Sequence, residues 1–305
     1  LKKILKETIF VIPNLKKKNS VFERDINELK NKTFLITGGA GSVGSYLTKK
    51  ILEYPVKQVR VIDIDEHALF KLNRAVKDPR LRLLLGSIED KERLFMAGNN
   101  VDVVIHAAAI KNIEISEFNP IETINTNING TVNLIKMVMK HKPAKFINIS
   151  SDKSVDSSTL YGTTKQLGER LTSWAGQHVK TTKFSSVRFG NVMESRGNVF
   201  SIWEEEIKNK KSISITEPNM KRYFFHVDEA ADFILKCLPL IKEGEIFVPK
   251  MKLYKIKDLA NQISKKQKII GLRRGEKIEE ILLSKNEKNR AIEKKNFWII
   301  KSPLN

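Results

Sequence analysis

A chain of 305 residues, 41% of them hydrophobic, holds enough apolar material for one large domain or two interleaved ones without a disulfide or metal staple. Its formal charge of +20 (55 Lys and Arg against 35 Asp and Glu) falls in short runs such as Lys16-Lys17-Lys18, Lys265-Lys266 and Lys294-Lys295. No aromatic interleaving and no recognition-helix pattern accompanies them, so solvated faces are expected rather than a nucleic-acid partner. Cys237 is the single cysteine, which excludes an internal disulfide framework and points to the cytoplasm, and no run of about 18 apolar residues offers a membrane span in this chain.

In chain order, residues 1–30 mix lysines with scattered apolar residues, lack glycine, and are expected to form an extension that docks as an arm or short helix. Thr33–Thr37 reads as a short strand that ends in a glycine-rich turn. Tyr46–Tyr54 follows with apolar residues at helical spacing, giving strand, loop and helix. Apolar runs at Val59–Ile64, Leu81–Leu85, Val101–Ala109, Lys145–Ser150 and Phe184–Phe189 then alternate with helical segments. That alternation predicts an α/β fold, a Rossmann-type doubly wound parallel sheet. Asn119, Pro120 and Glu122 have the spacing of a cap, a first-turn proline and a carboxylate that reaches back, opening a helix that runs through Met139. Beyond Asn191 the order loosens around Pro218, Pro249 and Gly275, where a smaller, partly interleaved region that covers substrate is expected.

The first turn carries Gly38, Gly41, Ser42, Val43 and Gly44 between a strand and a helix. Small residues are needed there because the turn is tight, the backbone must approach a pyrophosphate, and the helix N-terminus supplies N–H groups and positive dipole. Asp63 ends the second strand, where a carboxylate bonds adenosine ribose hydroxyls and repels a 2′-phosphate, favouring NAD within the NAD(P) class. The plainer reading makes Asp63, with Asp65 and Glu66, a cap for the next helix. Tyr161 and Lys165, four apart, share one helix face after the fifth strand. An ammonium beside a phenol lowers its pKa from about 10, which an alcohol-oxidising base requires. From the residues alone Lys153 reads as a solvated loop lysine.

The glycine loop, His106-Ala107-Ala108-Ala109, Thr126-Asn127, Ser151-Asp152-Lys153 and the Tyr161/Lys165 pair together resemble the extended short-chain dehydrogenases/reductases. More narrowly, HAAAIKNIEISEFNPIETINTNINGT, ISSDKSVDSSTLYGTTK, VRFGNVMESRGNV, EPNMKRYFF and GLRRGEKIEE resemble the polysaccharide-biosynthesis branch that contains inverting UDP-N-acetylglucosamine 4,6-dehydratases, over residues 31–300. The resemblance implies that Tyr161 deprotonates a sugar 4-hydroxyl while hydride leaves C4, with Lys165 holding phenol and ribose and Ser151 bonding the 4-oxygen. Lys153, in place of the usual glutamate, would take the C5 proton; Asp152 would protonate the departing 6-hydroxyl; hydride would return to C6 with C5 inverted.

It further implies cofactor contacts from Gly38, Gly41, Ser42, Val43, Gly44, Asp63, Ile88, Ala107, Ala108 and Asn127 besides Tyr161 and Lys165, and a tightly held NAD(P). Lys111, Asn191, Arg196, Arg222, Arg273 and Glu276 match positions that contact a nucleotide sugar, with no metal involved. Residues 31–190 and 224–250 would form the NAD(P)-binding domain, residues 191–223 and 251–305 the nucleotide-sugar-binding region, and the protein is expected to be a homo-oligomer. Ile64, Ser87 and Arg274 depart from the family pattern, where NADP-binding relatives place an arginine, an acidic residue is usual and a proline is common. Two rivals stand beside the dehydratase: a nucleotide-sugar 4-epimerase, which leaves Asp152-Lys153 without a task, and a non-catalytic NAD(P)-binding regulatory protein, against which Tyr161 and Lys165 argue.

Overall fold

The computed structural model describes residues 28–273 and 275–303; the expected N-terminal arm falls largely, and Arg274 wholly, outside them. Strand β1 (Thr33–Thr37) is buried along its whole length and pairs in parallel with β2 (Gln58–Asp63) on one side and β4 (Val103–His106) on the other. β3 (Leu81–Leu85) adds outside β2, while β5 (Lys145–Ser151), β6 (Lys183–Phe189) and β10 (Glu245–Pro249) continue beyond β4, all in parallel. The predicted doubly wound Rossmann sheet is therefore present, and its strands read as near-continuous apolar runs because both faces are covered.

Side-chain alternation along β1 shows how. Phe34 and Ile36 pack with Leu47 and Ile51 of α1 (Ser42–Leu52) and Leu69 and Leu72 of α2 (Glu66–Val76). Leu35 packs on the opposite face with Leu94 of α3 (Lys91–Gly98), Leu134 and Val138 of the helix ending at His141, and Ala175 of the long helix Leu160–His178.

The expected helix start at Asn119 forms, with Pro120 in its first turn and the helical run passing Met139, but without the side-chain cap. A short helix α4 (Ile113–Phe118) precedes it, and the Asn119 side chain donates to the Ile115 carbonyl, closing α4 instead of capping the next helix. From Pro120 the chain runs as α5 (Pro120–Ile124), a wide π turn over Asn125–Asn129, and α6 (Gly130–His141). Such turns recur at functional sites. Here Asn127 is buried within it and brackets Ile110, accepting from its N–H at 2.8 Å and donating to its carbonyl at 2.9 Å.

After α7 (Leu160–His178) and β6, a smaller unit forms from β7 (Asn191–Val192), α8 (Val199–Lys208), β8 (Ile213–Ile215) and β9 (Lys221–Phe225). β11 (Leu253–Lys255), α10 (Ile256–Ile263) and β12 (Gln267–Ile269) complete it. Phe200, Trp203, Ile213, Ile215, Phe224 and Ile256 give this unit its own core. Between these pieces α9 (Val227–Cys237) and β10 rejoin the large layer, so the two parts interleave. After α11 (Lys285–Lys288) the chain returns once more: β13 (Ala291–Glu293) and β14 (Phe297–Ile300) run antiparallel at the edge of the large sheet, although they lie within 251–305. Among the described residues no helix is long and apolar enough to cross a membrane.

Candidate active site

The parallel strands β1, β4, β5 and β6 end on one side of the sheet, where Arg196 of the smaller unit meets Ser42 after β1 and Lys111 after β4, and ligands of open α/β sheets bind in such a crevice. At its first wall, α1 begins at Gly41 with no side-chain cap and no acidic residue in the first turn, so its N–H groups and positive dipole end remain directed at the loop. Gly38 adopts a left-handed conformation, and a Cβ there would lie 2.6 Å from the Ala108 backbone; at Gly44 it would lie 2.4 Å from the Gly38 carbonyl. At Gly41 a Cβ would meet only the Gly38 carbonyl within 4 Å and otherwise fill open space above the loop. That space beside an uncapped helix end fits a dinucleotide pyrophosphate.

Asp63 does not cap α2; Asp65 does, accepting from Ala68 N–H at 2.9 Å. The Asp63 carboxylate instead accepts from Ala40 N–H at 3.0 Å and Asp65 N–H at 3.1 Å, which fixes the glycine loop and leaves lone pairs for further donors. Ile64 beside it is 73% exposed. Ala107 and Ala108 leave β4 against Thr37, and Val43 packs partly on the core beneath. Two expected cofactor residues also serve the fold: Ile88 is buried against Gly130 in the core below α6, and Asn127 uses its amide on Ile110 and Thr164.

The second wall is the end of β5. Ser151 Oγ accepts from Lys153 N–H and so caps a single 3₁₀ turn, Asp152–Ser154. Ser151 Oγ–H donates to Asp152 Oδ1 at 3.0 Å, and Lys153 Nζ donates to the same oxygen at 3.1 Å. Asp152 is fully buried and the Lys153 side chain 16% exposed, so Lys153 is not the solvated loop lysine that its sequence alone suggests. α7 packs on this turn through Gly162, whose Cβ would lie 2.2 Å from the Lys153 carbonyl. The turn is held from behind by Ser154 Oγ–H, which donates to the Ser151 carbonyl at 2.7 Å and to Glu169 at 3.0 Å.

Tyr161 stands in the first turn of α7, within electrostatic reach of Asp152 and Lys153. Burial pushes its phenol up and the Asp152 carboxylate adds to that, while the Lys153 cation opposes the shift without cancelling it. Lys165 Nζ donates to the Ile149 carbonyl at 2.8 Å and is lowered to about 8 by burial, against the opposing charge of Glu169. Lys153 is thus a cation close enough to act on the Tyr161 phenol, beside the expected Lys165. For Lys153 burial is again the largest influence and lowers its pKa, but Asp152 and Glu280 outweigh it, and the ammonium is held above its ordinary range. Glu280 was not singled out by sequence. It is buried, with Oε1 3.9 Å from Lys153 Nζ.

The expected substrate residues divide. Lys111 Nζ donates to the Arg196 carbonyl at 3.1 Å and is pushed down by burial and by the Arg196 and Lys153 cations. Arg196 reaches back to the glycine loop: its N–H donates to Ser42 Oγ at 2.9 Å and its guanidinium pairs with Asp65 at 3.0 Å. Asn191 donates to the Tyr223 carbonyl. Arg222 is buried and grips the Lys277 and Ile278 carbonyls, with Glu276 at 3.8 Å. Glu276 accepts from the Arg273 N–H, and Arg273 is exposed at the rim. Among the described residues no group of three His, Cys, Asp or Glu is placed to hold a metal.

Residues 34–302 match the family described as polysaccharide biosynthesis protein. The chain belongs to this family. A Methanocaldococcus jannaschii protein named as an uncharacterized membrane protein is 39% identical over 295 residues, covering 92% of this chain and 89% of that one. The UDP-N-acetylglucosamine 4,6-dehydratase (inverting) of Campylobacter jejuni is 38% identical over 275 residues, 88% and 82% of the two chains. The UDP-glucose 4-epimerase of Rickettsia bellii is 35% identical over 282 residues, 88% and 83%. Among solved structures, Pen from Bacillus thuringiensis superposes with a TM-score of 0.88 at 36% identity, covering 90% of this chain and 91% of its own. The family thus bears out the resemblance read from the sequence, and it holds both activities that the sequence left in competition.

Proposed function

We propose that the protein is an NAD-dependent nucleotide-sugar 4,6-dehydratase, a hydro-lyase of glycan-sugar biosynthesis acting on UDP-N-acetylglucosamine. The observation that carries the reading is the buried Asp152–Lys153 pair, hydrogen-bonded to Ser151 and within electrostatic reach of Tyr161. Burying an ion pair costs several kcal/mol per charge before its attraction is counted, and a fold has no need of one at this turn. An epimerase uses Ser151 and Tyr161 and leaves the pair idle.

Gly38, Gly41, Ser42, Val43, Gly44 and Asp63 would hold NAD, which when bound would supply the hydride-accepting and hydride-returning chemistry. Tyr161 takes the proton of the 4-hydroxyl, with Ser151 bonding the 4-oxygen, Lys165 holding phenol and ribose, and the Lys153 cation opposing the burial penalty on the phenolate. Asp152 and Lys153 then act as acid and base. In the free protein they form the ion pair; a bound sugar excludes water and raises the penalty on both charges. Transfer of one proton along the 3.1 Å hydrogen bond from Nζ to Oδ1 yields a neutral amine that can accept the C5 proton and a neutral acid that can protonate the 6-hydroxyl. Lys111, pushed down by burial and by the Arg196 and Lys153 cations, has no carboxylate partner among the described residues, an arrangement a diphosphate relieves. The name of the Campylobacter jejuni relative supports inversion at C5. Residues 31–190 and 224–250 would hold NAD, residues 191–223 and 251–305 the nucleotide sugar. A self-associated cytoplasmic enzyme completes the reading.

The test is incubation of the purified protein with UDP-N-acetylglucosamine in heavy water, read by mass spectrometry and proton NMR. Loss of water with deuterium at an inverted C5 supports the dehydratase. Unchanged mass with a new C4 configuration supports the second reading, a 4-epimerase, which the Rickettsia bellii relative favours.

A further inference from the structure

Glu280 is a buried carboxylate that the chemistry proposed above does not use. It is 3% exposed, its Oε1 lies 3.9 Å from Lys153 Nζ, and its Oε2 has no hydrogen-bond partner among the described residues. Asp152 Oδ2 shares that condition. An unpaired buried carboxylate oxygen costs folding free energy, and exchange of such a group for a well-packed apolar one is commonly neutral or stabilising. The fold itself gives Glu280 no task. Its segment is placed by other groups: Arg222 donates to the Lys277 and Ile278 carbonyls, Lys277 Nζ donates to the Val155 carbonyl at 2.7 Å, and Lys221 N–H donates to the Ile278 carbonyl. Leu282, two residues on, enters the core.

Resting on the dehydratase reading, we infer that Glu280 is a positioning residue for Lys153, the second carboxylate of a three-membered acid–base group with Asp152. In the elimination the C5–H bond breaks and its proton goes to Lys153 Nζ. The released electron pair forms the C5–C6 double bond, and the C6–O bond breaks as Asp152 gives its proton to the leaving oxygen. Lys153 thereby turns from amine to ammonium while Asp152 turns from acid to carboxylate. Glu280 faces the nitrogen that gains the charge, and a fixed anion near a developing cation in a water-poor site stabilises that step. It also keeps Nζ between two carboxylates, so the amine is aimed before the sugar binds. The cation above Glu280, Arg222, works in the opposite sense on Lys153 and is itself spent on backbone carbonyls.

The experiment uses the full-length enzyme with its nucleotide and UDP-N-acetylglucosamine, comparing wild type with Glu280→Gln. Two partial reactions are read separately: transient reduced-nicotinamide absorbance for C4 oxidation, and deuterium entry at C5 for the elimination. The expected result is oxidation within about twofold of wild type and a C5 exchange plateau lower by about ten- to a hundredfold, at the low end of what general-base catalysis contributes. The exchange–pH profile of Glu280→Gln also moves its rising limb to lower pH, because Lys153 loses an anion that favours its charged form. A purely structural role would lower both partial reactions and leave the profile in place. Glu279→Gln, at an exposed residue paired with Lys221, serves as the control with no change. If Glu280→Gln does not fold, Glu280→Asp is read instead, with the same split expected. Wild-type exchange and an unmoved profile in the variant overturn the role of Glu280 while the dehydratase stands. A wild-type enzyme that removes no water from the nucleotide sugar overturns the dehydratase reading and this inference with it.

Discussion

At the scale of single residues, the burial of charge decides what each group in the site can do. Lys153→Ala removes the amine and leaves Asp152 buried without its cation, so elimination should fall to background while the glycine loop, which Lys153 does not touch, keeps its affinity for NAD. Nucleotide binding by calorimetry beside product mass checks this, and dehydration at the wild-type rate in the variant would remove Lys153 from the chemistry. Lys165 makes a separate prediction about pH. Burial lowers its pKa from 10.5 to about 8, so between those values the unfolded chain binds a proton that the folded one does not. Stability then rises with pH across that window, by on the order of 3 kcal/mol in all, and the penalty is complete below it. Urea unfolding of the nucleotide-free protein as a function of pH, compared with Lys165→Met, isolates the effect; parallel curves for the two proteins would contradict it.

At the scale of elements, the turn bearing Asp152 and Lys153 depends on a layer behind it. Arg188, 1% exposed, donates to both oxygens of Glu169 at 2.8 and 2.7 Å and to both of Glu287 at 2.9 and 2.7 Å, while Glu169 also holds Ser154. Glu169→Ala strands part of a buried guanidinium and should destabilise the fold by about 3–5 kcal/mol, measurable as a fall in the urea midpoint. A loss under about 1 kcal/mol would mean that Glu287 alone satisfies Arg188. None of this layer was legible in the sequence, because nothing local distinguishes a glutamate on a buried helix face from one in water. Glu280 was missed for the same reason: it closes a contact across more than a hundred residues. The strands were legible, since their apolar runs follow from burial on both faces, and so was the glycine loop, where spacing itself encodes the turn. Asn119 shows the limit of local rules. Its cap signal is sound in isolation, but α4 ends on the same residue and takes the side chain. Asn119→Ala should therefore cost well under the roughly 1 kcal/mol expected for Asp90→Ala, where Asp90 Oδ1 accepts from the Arg93 N–H at 3.0 Å.

At the scale of the whole molecule, large apolar side chains stand exposed on three packed helices among the described residues. Leu167 and Trp174, at helical spacing along α7, are 42% and 43% exposed, and Phe118 and Ile121 of the adjacent α4 and α5 are 77% and 67% exposed. Single exposed apolar residues need no explanation, but a cluster on packed neighbouring helices marks an association surface. The same α7 carries Tyr161 and Lys165 on its buried side, so a partner that covers its outer side would stiffen the helix that aims the catalytic phenol. Were the partner a second copy of this chain, a two-fold axis beside α7 would bury the face against itself. Leu167→Glu combined with Trp174→Glu should convert the protein to monomers in sedimentation velocity and lower turnover while leaving the folded secondary structure in place. A wild-type protein that sediments as a monomer at micromolar concentration would leave this face for another partner, and a double variant that dissociates with full turnover would separate assembly from catalysis.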